Sequence, residues 1–182
     1  MDFRRKMDIE AVKAFISAQS AETKIYVGGD SERHKVGGQW VADYAICVVV
    51  HYDGCRGCKI FGEVTRERDF DQVKNRPTMR LMNEVYKIAD MYLRIADALG
   101  DRHSEVHLDI NSDKSAGSNI VIKEAIGYIT GTCNVIPMVK PNSPAATFCA
   151  DRFAEIRQRS ESQDRKIRHL SAAKLKRRRK YA

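Results

Sequence analysis

The chain lacks any long apolar run. The longest, AICVVV at residues 45–50, is six residues, whereas a membrane-crossing helix needs about 20. The N-terminal stretch MDFRRKMDIE carries charges but no apolar segment, so it does not read as a secretory leader. These absences predict a soluble, cytoplasmic protein with no membrane partner. Cysteine is sparse and odd in number, with Cys47, Cys55, Cys58, Cys133 and Cys149, which argues against a disulfide framework. Cys55 and Cys58 form the one CxxC, CRGC, and no second CxxC supplies the remaining ligands of a structural zinc. The expected reading is reduced thiols in a hairpin. Acid is missing from the end of the chain: residues 165–182 hold nine lysines and arginines and no aspartate or glutamate.

What is present fits one domain with an appendage. The length of 182 residues and a hydrophobic content of 43% suffice for an ordinary core. Against a net charge of +8, the nine basic residues of the tail leave residues 1–164 at −1. A near-neutral body with a polycationic tail suits a polyanion, above all nucleic acid, through phosphate contacts and counterion release. We therefore expect a domain over residues 1–160, including an N-terminal helix, and a basic tail over residues 161–182.

Hydrophobic spacing orders the elements. Ile9, Val12, Phe15 and Ile16 predict a helix within residues 7–19. Residues 24–30, ending on Asp30, read as a strand; QWVADYAICVVVHY, 39–52, as a second; and CKIFGEVT, 58–65, as a third, after an Asp53-Gly54 turn. Leu81, Val85, Ile88, Tyr92, Ile95 and Leu99 mark a helix that opens near Pro77 and stops at Gly100. EVHLDI, 105–110, is a fourth strand. A helix capped by Ser115 or Ser118 follows, with Ile122, Ile126 and Ile129 inward and Gly131 closing it. NVIPMVK, 134–140, is a fifth strand, and Pro137 points to an edge. Ser143 and Pro144 open a last helix running to about residue 158. Three antiparallel strands followed by alternating helix and strand predict an α/β fold, a mixed five-stranded sheet flanked by helices.

Four acids fall on four of these elements. Asp30 ends the first strand. Asp109 interrupts the apolar run VHLDI, a local conflict expected where a buried carboxylate is paired or binds a cation. Glu84 lies at the border of the long helix's apolar face, where pairing with Arg80 or Lys87 is the alternative. Asp151 lies on the last helix, in PAATFCADRF, where a solvated or ion-paired acid is the alternative. Gly28 and Gly29 leave room beside Asp30 for backbone, metal or phosphate.

The segments VGGDSERH, RLMNEVYKIA, VHLDINSDKSAGSNIVIKEAIGYI and VKPNSPAATFCADRF span residues 24–155, and here the chain resembles the ribonuclease H-like superfamily, in particular a bacterial and phage branch of such nucleases. The resemblance implies a ribonuclease H-like fold and a metal site built from Asp30, Glu84, Asp109 and Asp151. It also implies two Mg²⁺ or Mn²⁺ ions, and raised carboxylate pKa values when metal is absent. Asp151 departs from the family pattern, falling about two turns inside its helix rather than in the first turn. The implied activity is endonucleolytic phosphodiester hydrolysis on the RNA strand of an RNA–DNA hybrid. The alternatives are a junction-type DNA endonuclease acting on structured DNA and a catalytically silent nucleic-acid-binding protein.

Among other polar residues, Ser31, Lys114 and Lys140 are candidates for phosphate or sugar contacts, and Arg177, Arg178 and Arg179 for the tail's electrostatic grip. Asp113 reads as an alternate ligand or a loop turn, and His34 as a proton shuttle or a surface hairpin residue. Trp40, the one tryptophan, reads as a packing residue or a stacking platform.

Overall fold

The computed structural model describes residues 6–71, 77–113 and 115–148. The chain divides into two units, Met1–Ala150 and Asp151–Ala182; the second lies outside the described residues, as do the expected domain boundary at residue 160 and the tail.

In the first unit, α1 (Ile9–Ser17) is followed by β1 (Lys24–Val36), β2 (Gln39–His51) and β3 (Cys58–Arg68), then α2 (Thr78–Leu99), β4 (Ser104–Asn111), α3 (Ile122–Cys133) and β5 (Met138–Lys140). Residues 144–148 are helical, within the stretch where the sequence predicts the last helix. The strand order is β3-β2-β1-β4-β5. β1 to β3 are antiparallel, and β4 and β5 join in parallel. This is the mixed five-stranded α/β sheet that the sequence predicts.

Each element has a local cause. Asp8 caps α1 by accepting from the Ala11 N–H at 3.1 Å. On α2, Leu81, Val85, Ile88, Tyr92, Ile95 and Leu99 are buried, and covering each large side chain contributes roughly 1.5–3 kcal/mol. They pack on Ile25, Val27, Ile46, Val48 and Val50 of the sheet, with Val12 and Ile16 of α1 and Ala125 and Ile129 of α3.

Four expectations are corrected. β1 does not stop at Asp30 but continues to Val36, because residues 31–36 pair with 39–44 in a long hairpin. Gly37 and Gly38, at φ of +57° and +85°, turn that hairpin, a backbone that costs other residues free energy. α3 passes through Gly131 and ends at Cys133, where Asn134 takes the left-handed conformation; a 3₁₀ turn over Gly117–Val121 precedes it. Ile129 is buried as expected, but its buried companions are Ala125 and Cys133, with Ile122 and Ile126 only half-buried. β5 shortens to three residues beyond Pro137, at the sheet edge.

The glycine pair has a packing cause. A Cβ on Gly28 would lie 2.9 Å from the Ala146 amide nitrogen and 3.1 Å from the Ala145 carbonyl carbon, so its missing side chain admits the backbone of the last helix. A Cβ on Gly29 would meet Ile46 Cδ1 at 2.6 Å and Ile88 Cγ1 at 3.1 Å, on the α2 side. The room is taken by helix backbone and core side chains rather than by metal or phosphate. Gly28→Val is expected to destabilise the fold by about 2 kcal/mol or more, read as a lowered denaturation midpoint. An unchanged midpoint would mean that the last helix does not press on β1.

Candidate active site

The site begins where two parallel strands separate. β1 and β4 pair in register up to Gly28 opposite His107. Asp30 and Asp109 each stand two residues further on, where that pairing has ended. β1 continues with β2, and β4 with β5. The fork opens a cleft of about 850 Å³ whose wall includes Asp30, Ser31, Arg33, Arg80, Asp109 and Lys140. Crevices at the carboxyl ends of parallel strands are the usual ligand sites of such sheets.

Glu84 lies one hydrogen bond behind this wall. It is 1% exposed, not at the helix border that its sequence position suggests. The Ser31 hydroxyl donates to Glu84 Oε2 at 2.5 Å. The Arg80 guanidinium donates to the Ser31 carbonyl and, at 2.6 Å, to the Ser31 hydroxyl. Glu84 Oε1 is buried with no hydrogen-bond donor among the described residues. Arg80 thus reaches Glu84 through Ser31, and Lys87 pairs with Glu67 instead. Asp30 Oδ1 accepts the Ser31 N–H at 2.8 Å, and Lys140 Nζ lies 2.5 Å from Asp109 Oδ1.

The acids share one field. Burial, then the nearby Asp109 charge, raises the Asp30 pKa. Burial, then Asp30, pushes Glu84 up to about 8, with Asp109 adding to the rise and the Ser31 bond opposing it. Asp30, Glu84 and Asp109 are therefore brought together from β1, α2 and β4. Among the described residues, however, no group of three or more histidines, cysteines, aspartates or glutamates is arranged to hold a metal ion. Each carboxylate is already turned towards a partner of its own: Asp109 to Lys140, Glu84 to Ser31, Asp30 to the Ser31 amide.

Asp151, Lys114, Arg177, Arg178 and Arg179 lie outside the described residues. Ser31 and Lys140 both line the cleft, Ser31 nearly buried. Asp113 accepts from the Ser115 N–H and hydroxyl, both at 2.8 Å, and so makes a loop turn. His34 faces Asp43 at 3.5 Å and is not part of the cleft wall. Cys55 and Cys58 are free and exposed.

Two contributors escape the sequence reading. Arg80 enters it only as a helix-spacing partner of Glu84. His107 is wholly buried; its Nδ1 accepts the Ala145 N–H at 3.0 Å, so Nε2 carries the ring proton and meets Glu105 Oε2 at 2.7 Å. Burial holds its pKa below the usual range, with Glu105 opposing. A central-strand histidine thereby grips the first turn of the last helix. The available signal was the one used for Asp109: a polar residue inside an apolar strand, two positions away.

Together these features define an α/β protein with an acidic cleft at the fork of a mixed sheet. The ribonuclease H-like family model matches residues 8–155, and the chain belongs to that family. Comparison with curated proteins and with solved structures finds no match. Family membership points to nuclease-type chemistry and to nucleic acid as partner. Among the described residues no helix is long and apolar enough to cross a membrane.

The Glu84 shift has a consequence for stability. A carboxyl whose folded pKa of about 8 exceeds its unfolded value of 4.5 contributes most below pH 4.5. That contribution falls as pH rises to about 8, by an amount on the order of a few kcal/mol. Glu84→Gln is expected to melt higher than the wild type at pH 8 and to flatten the pH dependence of Tm between pH 5 and 8. Parallel Tm profiles for the two proteins would refute a buried, proton-retaining Glu84.

Proposed function

We propose that this protein is a metal-dependent endonuclease that hydrolyses nucleic-acid phosphodiester bonds in the β1–β4 cleft. The favoured substrate is the RNA strand of an RNA–DNA hybrid. One observation carries the reading: Asp30, Glu84 and Asp109 come from three elements to one fork, where Asp109 raises the proton affinity of Asp30 and both raise that of Glu84. Such mutual repulsion is costly unless positive charge relieves it. The donor set consists of hard carboxylate oxygens, one of them the buried, unpartnered Glu84 Oε1, and this suits Mg²⁺ or Mn²⁺. Asp30, Glu84 and Asp109 are the proposed holders, with Asp151, outside the described residues, as the proposed fourth acid.

Bound in pairs, such ions activate the attacking water and stabilise the leaving oxygen of a phosphodiester. The chain's own residues do the positioning. Ser31 orients Glu84, and Arg80 orients Ser31. Below about pH 8 Glu84 retains its proton until positive charge enters the cleft. Lys140, at the cleft wall beside Asp109, is placed to exchange its carboxylate partner for a substrate phosphate. The basic residues 165–182 add a salt-sensitive, sequence-independent grip.

A second reading, a catalytically silent nucleic-acid-binding protein, draws on the same ion pair. Lys140 and Arg80 already supply positive charge at the acids without any metal. Cleavage assays separate the two readings. Labelled RNA–DNA hybrid, single strands, duplexes and four-way junctions are incubated with Mg²⁺ or Mn²⁺. Hybrid cleavage is expected, reduced at least about 100-fold in Asp30→Asn and Asp109→Asn, since each variant removes a group acting on transition-state charge. Residual activity equal to wild type in both variants would sink the reading, and preference for junctions would redirect it to structured DNA.

A further inference from the structure

Beyond the fork, the β1–β2 hairpin runs on without β4 beside it. Its far end carries the chain's one tryptophan. Trp40 is paired across the hairpin with Lys35 and shares its face with Arg33. The Arg33 guanidinium carbon lies 4.2 Å from the Trp40 ring centre and Lys35 Nζ lies 4.7 Å from it. Arg33 cannot swing freely: its Nε meets Asp69 Oδ2 at 2.7 Å and its Nη2 donates to the Asp71 carbonyl at 2.6 Å. The Trp40 carbonyl in turn accepts the Asp69 N–H at 3.1 Å.

The next residue after Asp69 is a second exposed ring. Phe70 is 56% exposed and Trp40 43%. The Arg68 guanidinium lies 5.1 Å from the Phe70 ring centre. Lys35 and Arg68 thus each hold a positive charge over an exposed ring. Arg33 also belongs to the wall of the acidic cleft, so the Trp40 ring adjoins that wall.

Two large rings left in water, each with a cation over its face, are poorly suited to an apolar partner, which would have to strip water from both cations. They match a partner with its own flat π-faces and a negative backbone. We propose that Trp40 and Phe70, with Lys35 and Arg68, form a stacking platform for unpaired bases of a nucleic-acid strand entering or leaving the cleft. This deepens the nucleic-acid reading above and rests on it. Base–aromatic stacking is indifferent to base identity, so the platform discriminates unpaired from paired strands rather than one sequence from another. Trp40 is here a binding residue and takes no part in bond cleavage.

The single tryptophan makes the test direct. The full-length protein, kept free of divalent cations at about 0.2 M salt to weaken purely electrostatic contacts, is titrated with oligothymidylate and with a blunt duplex of equal length. The oligothymidylate is expected to quench the tryptophan fluorescence, and the duplex to leave it nearly unchanged. By fluorescence anisotropy of a labelled strand, Trp40→Leu and Phe70→Leu are each expected to bind the single strand roughly tenfold or more weakly, with melting curves close to wild type. Single-strand binding that leaves the fluorescence unquenched would overturn the platform, as would unchanged affinity in a folded Trp40→Leu or Phe70→Leu. Quenching without cleavage of any substrate would sink the nuclease reading and keep the platform. Cleavage without quenching would do the reverse, and no binding to any nucleic acid would end both.

Discussion

The carboxyl group of Glu84 sits out of reach of water, with one oxygen accepting from Ser31 and the other lacking a donor among the described residues. Burying an acid in this way is unfavourable, and two more acids in its field make it worse. The surrounding structure offsets the cost with positive charge and donated protons. Arg80 bonds to both oxygens of Ser31, Ser31 bonds to Glu84, and Lys140 meets Asp109. The three acids are thereby held close together by internal donors. The same arrangement explains why the described residues hold no ready-made metal group: the acids are occupied with internal partners.

The divergence of β1 from β4 creates the space in which this happens, and the glycines and His107 lock it from the other side. Gly28 lets the backbone of Ala145 and Ala146 approach β1, and His107 accepts the Ala145 amide from the neighbouring strand. The last helix is thus anchored at the final registered pair of β1 and β4, Gly28 opposite His107. Two residues beyond that anchor the acids begin. Anchor and site are coupled through the strands themselves, so the packing of a helix start bears on where Asp30 and Asp109 point.

Much of the architecture was legible because hydrophobic period reports it directly. The long helix, the strand order in sequence and the edge position of β5 follow from spacing, Pro137 and Gly100. The ends were harder to read. The polar segment SERHKV does not look like strand, yet it is held as one by pairing with β2, and Gly37-Gly38 was the overlooked turn signal. On α3 the large Ile129 is buried as its spacing predicts, whereas Ile122 and Ile126 are half-buried and small Ala125 and Cys133 complete the buried face. Asp109 could be picked out because it breaks an apolar strand. Glu84 looked marginal, since a helix wheel cannot know that Ser31 and Arg80 close over its border position.

The sequence by itself determined the class of fold, the acidic character of the candidate site and the basic character of the tail, because composition and periodicity are local properties. Tertiary structure alone decided that β1 and β4 part after Gly28 and His107, that Glu84 is buried behind Ser31, and that the glycines make room for a helix rather than a ligand. It also decided that Trp40 stands in water over Arg33 rather than in the core. The physical reason is the same in each case. Burial, register and shared electric field depend on residues far apart in the chain, and no local pattern encodes what will lie across from them.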